Sequence, residues 1–178
     1  KIFNDKIFVV NQDNRLLSFS VKNGIKVWDI RSISSYIKSQ SLLSISISNS
    51  GDLVFLNSSG DLNKVNADNG NLIWTLNAKD LSFSHDTDFF KSSNIVIDKK
   101  SIFFSTSTSV YSYDLLSGYL NWSKKVNSKS DPIIDGDYIF LVTKDGFFLN
   151  LDKLTGEVIW STNILPSLDD GWKIPFEK

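Results

Sequence analysis

The sequence predicts an all-β protein, a β-propeller of four-stranded antiparallel blades, from two observations: a fourfold repeat ending in Trp and a composition poor in helix formers. Four of the five Trp residues follow a Gly by four positions. The spacing of successive Trp residues brackets the about 40 to 45 residues of one blade. We therefore expect about four blades, belonging to a larger propeller of about seven or eight. The repeated pairs are Gly24 with Trp28, Gly70 with Trp74, Gly118 with Trp122 and Gly156 with Trp160.

Composition favours strands over helices. The chain has two Ala, two Glu, two Gln and no Met, whereas Ile, Val, Phe, Tyr, Trp, Ser and Asn are abundant. Ala, Glu, Gln and Met favour helices, while β-branched and aromatic residues suit the pleated surface of a sheet. The sequence therefore predicts β structure throughout.

The last repeat shows the strands of one blade most clearly. Asp135-Gly136 and Asp145-Gly146 are hairpin signals, because Gly adopts positive φ without a Cβ clash. Residues 138–143 form an apolar run of strand length, and the third and fourth strands follow at 147–152 and 157–161. The four predicted blades span residues 1–30, 31–77, 78–124 and 125–163, and residues 164–178 are expected to connect to a further blade.

The first repeat holds only Ile2 and Phe3 of an innermost strand, so the array of blades is open at that end. A blade buries its faces against its neighbours, and the faces of terminal blades therefore need a cover. We expect that a longer parent protein supplies more blades. The alternative is a homodimer in which a second copy of the chain closes the array.

The charge of the chain argues against a nucleic-acid partner, and the length of its apolar stretches argues against a transmembrane helix. Nineteen basic and 20 acidic residues give a net charge of -1, and their scatter along the chain argues against a nucleic-acid partner. No apolar stretch reaches the roughly 20 residues of a transmembrane helix. The chain has no Cys, no initiating Met and no signal-like start, so we expect any targeting segment to precede Lys1.

Residues 149–160 read Leu-Asn-Leu-Asp-Lys-Leu-Thr-Gly-Glu-Val-Ile-Trp and resemble the PQQ-like repeat, Ala-x-Asp-x-x-Thr-Gly-x-x-x-Trp. Asp114 and Asp152 match the Asp of this motif, and Thr155 alone matches its Thr. In PQQ-like propellers the Trp of the outermost strand docks against the turn of an adjacent repeat, so the resemblance implies that the repeated Trp residues are structural. The Ala position of the motif holds Ser18, Lys64, Ser112 and Asn150.

Within this family the chain is most similar to the BamB-type lipoproteins of the bacterial outer-membrane protein assembly machinery. The resemblance implies a non-catalytic, periplasmic propeller of about eight blades, without a cofactor and lipid-anchored through a Cys upstream of Lys1. It also implies a protein partner such as an outer-membrane barrel assembly protein. The motif departs from the tighter version carried by the quinoprotein alcohol dehydrogenases.

The residues themselves predict no catalytic, cofactor or metal site. The Asp residues recur at turns, where Asp bends and caps the backbone. His85 is the single histidine, and with Asp86 and Asp88 it offers fewer ligands than zinc or calcium requires. The regular placement of the Trp residues favours packing over an aromatic platform for a flat cofactor.

Two long connections are the candidate partner-binding surface. Residues 31–43 and 78–91 exceed what a blade requires and fall at the same place in successive blades, so they should project on one face. Neighbouring loops with aliphatic and aromatic side chains are typical of protein-binding surfaces. The alternative is that these side chains fold back against the propeller. The candidate residues are Tyr36, Ile37, Leu42, Phe83, Phe89 and Phe90.

The sequence therefore favours a protein-binding scaffold in outer-membrane assembly. Two other hypotheses stay open: a fragment of a PQQ-dependent quinoprotein dehydrogenase, and a luminal sensing propeller of a membrane stress receptor. An enzyme would carry ligands for PQQ and calcium, whereas a scaffold requires none.

Overall fold

The computed structural model describes residues 1–31, 43–78, 90–128 and 130–165. Within these residues the chain forms four separate sheets of four strands and no helix. The predicted fold class, all-β with four-stranded antiparallel blades, is confirmed.

The strands follow one another regularly along the chain. The first sheet contains β1 (Ile2–Phe3), β2 (Lys6–Val10), β3 (Arg15–Ser20) and β4 (Lys26–Arg31). The second contains β5 (Ile45–Ile47), β6 (Asp52–Leu56), β7 (Asp61–Asn66) and β8 (Leu72–Asn77). The third contains β9 (Val96–Asp98), β10 (Ser101–Ser105), β11 (Ser109–Asp114) and β12 (Leu120–Lys125). The fourth contains β13 (Ile133–Asp135), β14 (Tyr138–Val142), β15 (Phe147–Asp152) and β16 (Val158–Asn163).

Each sheet is an antiparallel meander whose strands pair in chain order. The hairpins between the first two strands of a sheet need backbone in the left-handed region. Gly136 provides it in the fourth sheet with φ +56°, and Asn4 and Asp5 provide it in the first with φ of 46° and 57°. Asn and Asp tolerate this conformation better than other residues with a Cβ, so these short turns follow directly from the sequence.

A register shift interrupts the pairing of the third and fourth strands in every sheet. In the third sheet it falls between Ser112 and Tyr113, directly after the pair that Ser112 makes with Trp122. The same shift follows Ser18, Lys64 and Asn150, which pair with Trp28, Trp74 and Trp160. The Ala position of the repeat motif therefore lies beside the Trp, and the irregularity behind it bends the outer strand.

The hydrophobic core lies between the sheets in three clusters. One cluster joins the first and second sheets through Phe8, Leu16, Leu53 and Phe55. The next joins the second and third sheets, and the last joins the third and fourth, where Phe103 and Ile139 are fully buried. Each internal sheet buries both faces, because its strands alternate side chains between two neighbours.

Lys64 is buried between the second and third sheets, with 4% of its surface exposed. Its Nζ lies 3.1 Å from Asp52 Oδ2 on the adjacent strand of the same sheet. A buried ammonium group requires such a partner, because desolvation of an unpaired charge is costly. The ion pair explains how a charged side chain occupies a position that the repeat motif gives to Ala.

Candidate functional site

The repeated Trp and Gly residues meet between neighbouring sheets. A Cβ placed on Gly156 of the fourth sheet would lie 2.5 Å from Trp122 Cε3 of the third sheet. The indole Nε1 of Trp122 donates a hydrogen bond to the carbonyl oxygen of Lys153, 3.0 Å away in the same turn. Only Gly leaves room for the ring at this distance. The arrangement recurs for Trp28 with Gly70 and Ala67, and for Trp74 with Gly118 and Leu115.

The two remaining members of the repeat lie at the ends of the described array. A Cβ on Gly24 would meet nothing within 4 Å. Trp160 is 39% exposed, and its ring contacts are with Phe140 and Phe148 of its own sheet. Within the described part of the chain, three of the four repeated Trp residues lie on a Gly turn, and Trp160 and Gly24 have no such partner.

The carboxylates of the repeat hold the turns between the third and fourth strands. Asp152 Oδ1 accepts hydrogen bonds from the backbone N–H of Thr155 at 2.8 Å and of Leu154 at 2.9 Å. The Thr155 hydrogen bonds lower the pKa of Asp152, and hydrogen bonds from Ser117 lower the pKa of Asp114 in the same way. Both groups are therefore anionic turn-forming residues at neutral pH.

These shifts predict that part of the stability is lost in acid. The pKa of each carboxyl is lower in the folded chain than in the unfolded chain, so each contributes stability above the unfolded pKa of about 3.9, and this contribution disappears as the pH falls through the folded pKa. In the second sheet Asn66 accepts the equivalent turn hydrogen bonds, from Asp68 and Asn69. We therefore expect the variant D114N/D152N to keep its turns and to lose less stability in acid.

Urea unfolding of the two proteins from neutral pH to about pH 3 checks this expectation. The midpoint of the wild type should fall more steeply than that of D114N/D152N below about pH 4. Lys6→Gln is a suitable control, because it removes an exposed ion pair with Asp68 and leaves the turn carboxylates unchanged. Parallel pH profiles for wild type and D114N/D152N would contradict the assigned role of the two carboxylates.

Polar contacts also cross between sheets. Lys153 Nζ lies 2.9 Å from Asp98 Oδ2 of the preceding sheet. Asn94 donates from its backbone N–H and its side-chain amide to the two oxygens of Asp131, at 2.8 and 2.9 Å. This second contact ties the connection before β9 to the connection before β13, so successive sheets are joined at their inner as well as their outer strands.

A cavity of about 580 Å³ opens between the first two sheets, on the side of the outer strand β8. Ile30, Leu72 and Leu76 give it an apolar wall. Asn63 and Thr75 share a hydrogen bond of 2.9 Å on its polar side. No pattern in the sequence indicates this cavity, because its walls come from strands of two different repeats.

The predicted partner-binding loops fall mostly outside the described residues. Tyr36, Ile37, Leu42, Phe83 and Phe89 lie in residues 32–42 and 79–89, which the structure does not describe, as does His85. Phe90 is described and is 7% exposed, packed edge-on against Phe104 in the core between the second and third sheets. In this position its ring is unavailable to a partner, which fits the alternative in which loop side chains fold back.

The described residues contain no group of three or more His, Asp or Glu side chains able to hold a metal ion. In the same part of the chain, no helix has the length and apolar character of a membrane span.

Each sheet is a four-stranded meander, and the Trp of one sheet packs on the Gly turn of the next. Tandem repeats of this kind define a β-propeller. The family model PQQ_2, described as outer membrane protein assembly factor BamB, matches residues 2–162. The chain belongs to this family. No curated protein sequence matches it.

Solved structures share the fold at low sequence identity. BamB from Moraxella catarrhalis matches with a TM-score of 0.74 and 14% identity, covering 93% of this chain and 51% of that chain. The computationally designed Ika8 protein matches with a TM-score of 0.69 and 12% identity, over 92% of this chain and 48% of that one. A europium-containing methanol dehydrogenase matches with a TM-score of 0.72 and 9% identity, over 93% and 41%. The chain thus spans about half the length of the BamB and Ika8 chains.

Proposed function

We propose that this chain is a non-catalytic protein-binding scaffold that takes part in the assembly of outer-membrane β-barrel proteins. The observation that carries the proposal is the match of residues 2–162 to the family described as outer membrane protein assembly factor BamB. The same proposal places the protein in the periplasm, attached to the outer membrane through a lipid anchor. Its partner is an outer-membrane barrel assembly protein.

The hydrogen bonds that the Asp side chains accept support a structural role for these carboxylates. Turn hydrogen bonds lower the pKa of Asp114 and Asp152, and hydrogen bonds from Lys26 and Arg15 lower that of Asp29. A carboxyl with a lowered pKa stays ionised at neutral pH and is a poor proton donor. These three groups are engaged in holding turns and strands together, as a scaffold requires.

Binding between the purified chain and the purified barrel-assembly protein from the same genome tests the proposal. The chain is immobilised, the barrel-assembly protein is supplied in detergent, and association is followed by biolayer interferometry. Saturable binding, competed by the free chain, is the expected result. An unrelated barrel protein in the same detergent is the control, and equal binding of both barrels, or of neither, would overturn the proposal.

A parallel sample addresses the quinoprotein alternative, for which the methanol dehydrogenase fold is the relevant likeness. PQQ and calcium are added to the chain and bound PQQ is measured by absorbance after gel filtration. The scaffold proposal expects no retained PQQ. Stoichiometric retention would instead favour the dehydrogenase.

The role of the long connections is tested by a paired substitution. Phe83→Ala and Phe89→Ala change two residues predicted to contact a partner, and Phe90→Ala changes a buried neighbour. If the connections bind the partner, the first two substitutions weaken binding without lowering the melting temperature, whereas Phe90→Ala lowers the melting temperature. Unchanged binding by F83A/F89A would place the partner surface elsewhere.

A further inference from the structure

Two of the four repeat turns carry Asn where the motif of the repeat has Thr. In the first and second sheets these residues are Asn23 and Asn69, and Gly follows each of them directly. The third and fourth sheets have Ser117 and Thr155 at the same position. The two kinds of turn differ chemically, because a side-chain amide can react with the backbone nitrogen that follows it, whereas a hydroxyl group cannot be displaced in this way.

The side chain at this position has the same structural role in all four turns. Asn69 Oδ1 accepts a hydrogen bond from the backbone N–H of Asn71 at 2.9 Å, and Asn23 Oδ1 accepts one from Ile25 at 3.1 Å. The hydroxyl oxygens in the third and fourth sheets accept the equivalent bonds at 3.3 and 3.2 Å. The fold therefore requires an acceptor at this position but does not require an amide.

The turn of the second sheet holds the amide of Asn69 beside the backbone nitrogen with which it can react. A side-chain oxygen that is bonded to the N–H two residues later folds back over the residue between them, which is Gly70. The hydrogen bond from Asn71 also draws electrons from the side-chain carbonyl, so Cγ becomes a better electrophile. Gly70 has no side chain to obstruct the approach, and Asn69 is exposed to the water that the reaction consumes.

Two contacts oppose this reaction in the folded chain. The N–H of Gly70 donates to the carbonyl oxygen of Asn66 at 2.9 Å, and the nitrogen must lose this bond before it can attack. A Cβ placed on Gly70 would lie 3.0 Å from Trp28 Cδ2, and Trp28 Nε1 donates to the carbonyl oxygen of Ala67 at 3.3 Å. The indole of the first sheet therefore holds this turn of the second sheet closed.

From these observations we propose that Asn69 is a deamidation site that the Trp28 indole protects, and that it reacts when the first two sheets open at this turn. The Gly70 nitrogen forms a bond to Asn69 Cγ, and the bond from Cγ to Nδ2 breaks. The proton of the Gly70 N–H passes through solvent to the leaving nitrogen, which departs as ammonia. Water then opens the cyclic succinimide at either carbonyl and gives Asp or isoaspartate.

The isoaspartate product changes the turn permanently. Its main chain passes through Cβ and Cγ and is therefore longer than that of Asn. Gly70 then no longer lies beneath Trp28, and the contact that joins the first two sheets at this turn is lost. Deamidation thus makes a local opening of the propeller irreversible.

Peptide mass spectrometry of the chain, incubated in a mildly alkaline buffer, measures the reaction at Asn69. We expect deamidation in guanidinium chloride and a rate at least about tenfold lower in the folded chain, a ratio equivalent to roughly 1.4 kcal/mol of opening. Asn66 is the internal reference, because Ala follows it and its side chain obstructs the attack. It should stay intact over the same time.

Substitution of the indole tests the protection. Trp28→Ala should raise the rate at Asn69 in the folded chain several-fold toward the rate in guanidinium chloride. Trp74→Ala is the matched control, because it removes the equivalent indole from Gly118 of the third sheet and leaves the contact on Gly70 in place. It should leave the rate at Asn69 close to that of the wild type. Circular dichroism under the incubation conditions shows whether both variants are folded.

A second pair of variants moves the reactive site. Ser117→Asn places an Asn-Gly pair in the third sheet, where the turn makes the same hydrogen bond. It should create a new deamidation site that Trp74→Ala accelerates and Trp28→Ala does not. Asn69→Ser should abolish the reaction in the second sheet and keep the melting temperature, because a hydroxyl oxygen can accept the same bond. If Trp28→Ala fails to fold, Ser117→Asn with Trp74→Ala tests the same protection.

Any of three results would overturn the proposal. Asn69 could stay intact in guanidinium chloride, or it could react as fast in the folded chain as in the unfolded chain. Trp74→Ala could accelerate Asn69 as much as Trp28→Ala does, which would mean that only global unfolding exposes the turn. Ser117→Asn could react at the same rate with and without the Trp74 indole, which would show that the indole gives no protection.

Discussion

Replacing Trp122 by Ala should lower the free energy of unfolding by about 3 kcal/mol, the lower end of the range for truncation of a buried aromatic ring, because this ring is partly buried. The ring packs against the core that joins the third and fourth sheets, and it contacts Phe103. Its Nε1 donates to Lys153, so truncation also leaves a carbonyl in the turn without this donor. In a domain of this size the loss corresponds to roughly 10 °C in melting temperature.

Urea denaturation followed by circular dichroism measures this loss. Tyr119→Ala is the matched control, because it truncates an aromatic side chain that is 78% exposed beside the same strand. We expect less than about 1 kcal/mol for the control. A loss for Trp122→Ala no larger than for Tyr119→Ala would show that the indole does not hold the two sheets together.

The sequence alone was sufficient to predict the sheets, because their signals are local. Asp135-Gly136 and Asp145-Gly146 mark turns whose Gly residues have positive φ in the structure. The ends of strands were less accessible to prediction. The fourth strand of the last repeat was expected at residues 157–161 and is found at Val158–Asn163, where Thr162 and Asn163 pair with Phe148 and Phe147. Backbone pairing continues past the apolar residues because the neighbouring strand is longer than the apolar pattern.

Contacts between repeats could be predicted only where the repeat itself encodes them. The recurrence of Gly and Trp at fixed spacing marks a contact that every sheet makes with the next. The ion pair between Lys64 and Asp52 belongs to the second sheet, so no repeated residue pattern predicts it. Lys64 follows Asn63 and precedes Val65 in the sequence, and this local pattern gives no sign that its side chain will be buried.

The burial of Phe90, in the connection between the second and third sheets, was equally difficult to predict from the sequence. Its ring lies against Phe104, and its backbone N–H donates to Ser58 of the preceding sheet. Both partners are distant in sequence, and an apolar loop residue has the same pattern whether it faces a partner or the core. The cavity between the first two sheets could not be predicted from the sequence either, because it depends on the angle at which the sheets meet.

Gly156→Ala should be strongly destabilising for two separable reasons. The residue has φ +73°, which costs a side chain with a Cβ roughly 1 to 2 kcal/mol. The new Cβ would also lie 2.5 Å from Trp122 Cε3, so the indole must move, at a further cost of about 1 to 3 kcal/mol. Gly136→Ala is the control for the first cause alone, since Gly136 has φ +56° and a Cβ there meets nothing within 4 Å.

A double-mutant cycle separates the two causes within one site. If the collision with the indole accounts for part of the loss, Gly156→Ala should cost less in a Trp122→Ala background than in the wild type, by the same about 1 to 3 kcal/mol. The cost that remains in that background should equal the cost of Gly136→Ala, because only the backbone conformation is then left. A coupling energy near zero would mean that the indole moves aside freely. The Trp on its Gly turn would then be a loose contact, and the fixed spacing of the two residues would need another explanation.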